Sequence, residues 1–336
     1  MAATRRERVA ITGIKPSGTP HLGNYVGAIR PALALVDEAD TALYFIADYH
    51  ALTSIQDRAA LARFIHEVAA TWLALGLDPE RVVFYRQSAV PEVFELCWVL
   101  SCVTAKGLMN RAHAYKAAVA QNERAQRGDP DAGINMGVFG YPILMAADIL
   151  LFGATAVPVG SDQAQHIEIA RDLAQRFNHI FGDTLVVPAH HRERAAATVP
   201  GLDGRKMSKS YGNTIPLFAE PAALRKLIFR MVTDASAQSA PKDPDRSPLF
   251  AIFREFASPD DVAAMGERYR AGIGWGEVKG ALFEVLDDFL RAPRQRYQAL
   301  MADRGHLDEL LQKGAEKARD LARPTLDRVR RATGID

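Results

Sequence analysis

Along roughly the first two hundred residues, short unbroken apolar runs alternate with stretches whose apolar positions recur every three or four residues. The runs are Val9 to Thr12, Ala42 to Ala47, Val82 to Tyr85, Ala156 to Val159 and Leu185 to Val187, and each predicts a strand. Helical spacing fills Arg58 to Leu75 and Gln163 to Phe177. Strands that alternate with helices imply a parallel sheet covered on both faces. Ligands of such sheets sit beyond the carboxyl ends of the strands, so residues just after each run carry the most weight.

From about Val93 to Met136 the periodicity stays helical without a clear strand. It turns polar and basic around Arg111, His113, Lys116, Arg124 and Arg127, and a loose Gly128-to-Gly133 stretch ends it. This segment is expected to be a helical insertion, about 93–136. Beyond Ser210 no strand is expected; Ala222 to Val232, Leu249 to Phe256, Gly276 to Arg291 and Leu307 to Arg331 all have amphipathic helical spacing. The prolines of Pro241 to Pro248 predict a loop. The expected organisation is an α/β domain over 1–215, followed by an all-helical domain over 216–336.

Composition narrows the partners. A chain of 336 residues can bury a large core, and its formal net charge of +1 gives no global pull towards nucleic acid, so RNA contacts must come from local patches. Cys97 and Cys102, five apart in an apolar run, are expected to be reduced core thiols, since they lack metal-site spacing. The N-terminal residues lack the apolar stretch of a signal peptide, and no segment is apolar for long enough to span a bilayer. A cytoplasmic protein without a membrane partner is the expectation.

Two elements carry phosphate chemistry. After the first strand, Gly13 permits close approach of a ligand to the backbone, and the loop Lys15-Pro16-Ser17-Gly18 leads to His21-Leu22-Gly23-Asn24, which opens a helix. A helix N-terminus presents unpaired N–H groups to phosphate; His21 adds a donor, and Gly23 lets an adenine lie against the helix. Far downstream, Val199-Pro200-Gly201 precedes the basic loop Lys206-Met207-Ser208-Lys209-Ser210. Lys206 and Lys209 are point charges suited to a leaving pyrophosphate, the serines can donate to phosphate oxygens, and the flanking glycines allow the loop to close. Two remote phosphate elements around one nucleotide point to nucleotidyl transfer from ATP.

A third element selects the other substrate. In the apolar stretch from Gly137 to Gly153, Tyr141, Met145 and Asp148 share one helical face, and Pro142 fits a first helical turn. Asp148 is expected to be buried, and a buried carboxylate needs a partner. An indole N–H is a donor only, so a fixed acceptor beside an aromatic-sized apolar pocket suits tryptophan; capping of a neighbouring helix or pairing with a core Arg would be the structural alternatives.

Lys15-Pro16-Ser17-Gly18, His21-Leu22-Gly23-Asn24-Tyr25, Asp48-Tyr49-His50-Ala51-Leu52-Thr53, Met145 to Leu151, Val157-Pro158-Val159-Gly160-Ser161-Asp162-Gln163 and Lys206 to Ser210 occur in an order that resembles bacterial tryptophanyl-tRNA synthetases, members of the class I aminoacyl-tRNA synthetases. The resemblance implies a Rossmann-like nucleotide-binding domain, and a two-step ligation of L-tryptophan to tRNA(Trp) using ATP with Mg²⁺. It assigns Asp148 to the indole nitrogen, and Tyr141, Met145, Val157 and Val159 to the pocket wall. Gln163 with Tyr141 holds the α-amino group, and His50 lies near the substrate. Gly160 and Asp162 meet adenosine, Ser161 stands between them, and Val199 lies near adenine.

Departures from the commoner pattern are Ser161 in place of Glu, Ile11 in place of an aromatic and Lys15 in place of Gln. In the insertion Ala117 and Ala118 follow Lys116, so the resemblance leaves a single lysine contact to ATP there, at Lys116. A Cys-rich iron–sulfur pattern is absent and no zinc site is implied. The family also implies a homodimer, and the C-terminal helices become the anticodon platform; seven Lys/Arg against four Asp/Glu between Lys313 and Asp336 suit phosphate contacts.

Overall fold

A computed structural model describes residues 7–157, 164–189, 198–237 and 239–336. Strands β1 (Val9–Ile14), β2 (Thr41–Ile46) and β3 (Val83–Arg86) form a parallel sheet in the order β1-β2-β3. Val9 pairs with Thr41 and Leu43 with Val83, so the carboxyl ends of all three strands lie along one edge. Alternation along β2 shows why both faces are buried. Ala42, Tyr44 and Ile46 enter one apolar cluster, whereas Leu43 and Phe45 enter the other.

Helix α1 (Leu22–Asn24) runs through a π-turn into α2 (Arg30–Leu35) before β2. The short α3 (Asp48–Ala51) and the longer α4 (Arg58–Ala74) link β2 to β3. Asp57 caps α4 by accepting from Ala60 N at 2.7 Å. The expected insertion is helical: α5 (Glu92–Val103), α6 (Lys106–Met109) and α7 (His113–Arg124) occupy it. Helix α8 (Met136–Leu151) and α9 (Ala164–Phe181) follow, then α10 (Pro221–Arg230), α11 (Pro248–Phe256), α12 (Pro259–Ala271), α13 (Trp275–Ala302) and α14 (Arg304–Thr333).

Four expectations need correction. Of the five expected strands, three form the sheet. The fourth is represented by one parallel bridge, Ala10 to Ala156, on the free side of β1, and its continuation from Pro158 lies outside the described residues. Leu185 to Val187 is not a strand; the Asn178 side chain takes both backbone groups of Leu185, at 2.9 and 2.8 Å, in place of a ladder partner. Pro142 lies inside α8 and not in its first turn, because Asn135 starts that helix earlier by accepting from Val138 N at 2.9 Å. Cys97 is only partly buried and Cys102 is exposed, because the core side of α5 is taken by Val93, Leu96, Val99 and Leu100. Helix α12 is an addition: its apolar stripe is thin, but Ser258 caps it and Gly272 ends it in the left-handed region at φ 100°.

The helices after residue 216 do not stand apart from the sheet. Leu224, Leu282 and Leu286 share a cluster with Tyr44, Trp72 and Phe84. Helix α14 crosses β3 at Gly314, where a Cβ would overlap the Phe84 carbonyl, and Ala315, Ala318, Ala322, Leu326 and Val329 pack on the opposite cluster. Arg330 grips Glu95 of α5 with two bonds of 2.6 Å, and Arg319 reaches Glu92 at 2.9 Å. The β3 edge is thereby covered by a helix. Gly314→Val should force α14 off β3 and lower the thermal unfolding midpoint by about 5 °C or more; an unchanged midpoint in calorimetry would contradict this close crossing.

Candidate active site

The loop expected to bind phosphate leaves β1 at Ile14. Gly13 is exposed, with the direction a Cβ would take filled by the Phe45 ring. Lys15 extends to Thr53 Oγ1 at 2.9 Å, and Thr53 donates in turn to the His50 carbonyl at 2.8 Å. Burial lowers the Lys15 pKa from its ordinary value. Pro16 is buried and Ser17 exposed, and Gly18 adopts φ 126°, a conformation that favours glycine. His21 sits at the N-cap of α1, and its backbone N–H donates to Asn24 Oδ1 at 3.1 Å, so Asn24 braces the turn itself.

The lysine loop folds against this turn. Leu22 N donates to Ile215 O and Leu217 N to Pro20 O, both at 3.0 Å. Lys209 Nζ donates to Gly18 O at 2.7 Å. A side chain on Gly23 would touch both the His21 ring and Met207. Val199, expected beside adenine, is buried and pairs through its carbonyl with Met207 N at 2.8 Å. Of the other loop residues, Ser208 Oγ accepts from Ser210 N at 3.3 Å, while Lys206 and Ser210 are exposed. Beneath the two loops a cavity of about 40 Å³, lined by Lys15, Ser17, Gly18, Asn24 and Lys209, has room for a water but not a nucleotide.

The electrostatics follow from that contact. The His21 pKa is lowered to about 4, first by burial and then by the Lys209 charge. Its Nδ1 is buried without a hydrogen-bond partner. Lys209 is pushed down to about 8 by burial, with Glu67 opposing. At neutral pH the turn therefore presents a neutral imidazole beside a cation with a lowered pKa.

The third element is as buried as its neighbours required. Asp148 on α8 is 2 % exposed. Its Oδ2 lies 3.0 Å from His50 Nε2, and Gln87 Nε2 donates to both carboxylate oxygens at 2.9 Å. Among the described residues neither a core Arg nor a helix cap holds it. Burial raises its pKa above the ordinary value, and the His50 and Gln87 hydrogen bonds oppose that rise. Tyr141 packs its ring 4.4 Å from His50 and 5.4 Å from His166. Met145 and Val157 are half-buried against the same cluster. Lys116 is exposed on α7. Val159, Gly160, Ser161, Asp162 and Gln163 lie outside the described residues.

Two residues that sequence reasoning passed over organise these elements. Gln87 follows β3 directly, the position where a parallel sheet places ligand-facing groups, and that rule could have found it. Asn213 is buried and Oδ1 accepts from Ser208 N at 2.8 Å, while Nδ2 donates to Asp203 Oδ1 at 2.7 Å and Lys206 O at 3.2 Å. Nothing in its sequence position three after Ser210 marks it. Among the described residues no cluster of His, Cys, Asp and Glu could hold a metal ion, and no helix is long and apolar enough to cross a membrane.

Residues 3–291 match the family model described as tRNA synthetases class I (W and Y). The tryptophan–tRNA ligase of Pseudomonas aeruginosa is 54% identical over 329 residues, 97% of this chain and 73% of that protein. That of Bordetella parapertussis is 54% identical over 328 residues, 97% of this chain and 72% of the relative. Among solved structures, Campylobacter jejuni tryptophanyl-tRNA synthetase complexed with ADP and tryptophan superposes with a TM-score of 0.87 at 40% identity, covering 97% of this chain and 99% of that one.

His21 has a folded pKa near 4, below its ordinary 6.5, so the unfolded chain binds more protons between those values. The stability it contributes is present above pH 6.5 and is lost as pH falls towards 4. An NMR titration should find the His21 ring midpoint near 4, and Lys209→Met should raise it. A midpoint unmoved by that substitution would show that the lysine does not face the ring.

Proposed function

The chain belongs to the class I tRNA synthetases for tryptophan and tyrosine, and within that family we propose that it is a tryptophan–tRNA ligase. The observation that carries this reading is the joining of the two phosphate elements, with Lys209 held on the Gly18 carbonyl and Met207 against Gly23. The buried Asp148, set among the aromatic and apolar groups of α8, gives the choice of tryptophan.

The reaction has two steps. An oxygen of the tryptophan carboxylate attacks the α-phosphorus of MgATP in line, and pyrophosphate leaves with its charge on Lys206 and Lys209. The 2′-hydroxyl of the terminal ribose of tRNA(Trp) then attacks the adenylate carbonyl, and AMP departs carrying the hydroxyl proton on its phosphate. Neutral His21 donates to the α-phosphate as its charge develops, and the backbone N–H groups opening α1 assist. No protein nucleophile is required; alignment and charge stabilisation do the chemistry. Magnesium arrives on the nucleotide. Lys15, Ser17, Gly23, Asn24 and Ser208 line the nucleotide side; Gly13, His50, Tyr141, Met145 and Val157 line the tryptophan side.

The same reading makes residues 216–336 the anticodon-binding part of a cytoplasmic enzyme. The 1–215 and 216–336 parts are functional units built on continuous apolar clusters. A homodimer belongs to it as well. Trp98 and Met136, 72% and 76% exposed, rim an apolar cleft of about 510 Å³ between α5 and α8, a surface that a second copy would cover.

Exchange of labelled pyrophosphate into ATP should depend on tryptophan and not tyrosine; stimulation by tyrosine alone would overturn the assignment. Asp148→Ala should lower kcat/KM for tryptophan by about a hundredfold or more while leaving the ATP KM within a few fold. Equal losses for both substrates would remove its selective role. Lys209→Ala should slow single-turnover adenylate formation roughly a hundredfold, and an unchanged rate would exclude it from the chemistry.

A further inference from the structure

Asp148 can present only a limited set of acceptor positions. A carboxylate offers about four lone-pair sites, two on each oxygen. The Gln87 amide donates from Nε2 to Oδ1 and Oδ2, each at 2.9 Å, and so fills one site on each. His50 Nε2, 3.0 Å from Oδ2, fills the second site on that oxygen. No other side chain among the described residues hydrogen-bonds to Asp148. One acceptor site is left, on Oδ1.

The amide has only one workable orientation. Turned over, Gln87 would place Oε1 against a carboxylate at a fully buried position, acceptor against acceptor. In the observed orientation Oε1 is buried and has no hydrogen-bond partner. An unpaired buried acceptor is unfavourable, so the Asp148 contact is what holds this side chain as it stands. Gln87 is also rigidly mounted, as the first residue of a 3₁₀ turn (Gln87–Ala89) directly after β3. Without it the carboxylate would keep His50 alone, a single contact to one oxygen, and would be free to rotate about its terminal bond.

We propose that Gln87 is a positioning residue for amino-acid selection: it fixes the Asp148 carboxylate plane so that one open lone-pair site, on Oδ1, faces the substrate side chain. This deepens the tryptophan reading and rests on it. A substrate with a single ring N–H then meets one acceptor in one direction, and a ring without a donor leaves that acceptor unpaired.

The test uses the full-length enzyme with L-tryptophan and 3-benzothienyl-L-alanine, the isostere in which sulfur replaces the indole N–H. Pyrophosphate exchange gives kcat/KM for each, and their ratio measures how well the acceptor is aimed. The wild type should prefer tryptophan strongly. Gln87→Met, of similar size without a donor, should reduce that preference by about tenfold or more, chiefly through the tryptophan KM. The analogue kcat/KM and the ATP KM should stay within about threefold of wild type. Gln87→Leu, also without a donor, should collapse the preference in the same way, which covers the case in which the Met variant fails to fold. A variant that keeps the wild-type ratio overturns the role of Gln87 and leaves Asp148 as the indole acceptor. A wild type that does not distinguish the two substrates overturns the Asp148 reading, and this inference with it.

Discussion

Two segments separated by 191 residues are fastened to each other by backbone pairing and one half-buried ammonium, and the candidate site exists only because they are. Leu22 and Leu217 supply the backbone bonds to Ile215 and Pro20, and Lys209 closes the gap on Gly18. Burial at this contact, with the Lys209 charge second, holds the His21 ring neutral at neutral pH. The contact also constrains side-chain size: a Cβ on Gly23 would lie only 3.1 Å from the His21 ring and 3.4 Å from Met207. Asn213 keeps the lysine loop in shape from behind with hydrogen bonds to Ser208, Lys206 and Asp203. The His21 turn and the lysine loop are therefore one structural unit made from two distant pieces of chain.

Asp148, the proposed indole acceptor, is held by a different logic. Burial works against its charge, and the donors that offset this come from the ends of β2 and β3, through His50 and Gln87. The parallel register brings those strand ends to one edge, beside the end of β1 from which the phosphate loop departs. Sheet topology thus does the gathering, and the helices fill the space around it.

What was legible in the sequence follows from this division. Strands β1 to β3 were readable because both faces are buried, which leaves unbroken apolar runs. The apolar run at Leu185 failed as a strand because the competing partner, Asn178, is a side chain on the preceding helix that periodicity does not weigh. His21, Lys209 and Asp148 were readable because each carries a charge or donor in a motif. Asn213 was not, since an uncharged amide gains its importance only from what folding places beside it, and Gln87 was marked only by its place directly after β3. One helix boundary shifted where a cap acted, at Asn135, and the cap at Ser258 begins a helix that the periodicity did not show.

Helix α14 has a consequence for how the protein is made. The chain emerges from a ribosome N-terminus first, and the sheet strands appear long before Arg304. Until α14 follows, the outer side of β3 offers unpaired peptide groups to any passing strand, and the apolar layer of Leu326 and Val329 is missing. Nascent chains stalled short of α14 are therefore the species most prone to stick to one another, and translation of α14 is the step that ends that exposure.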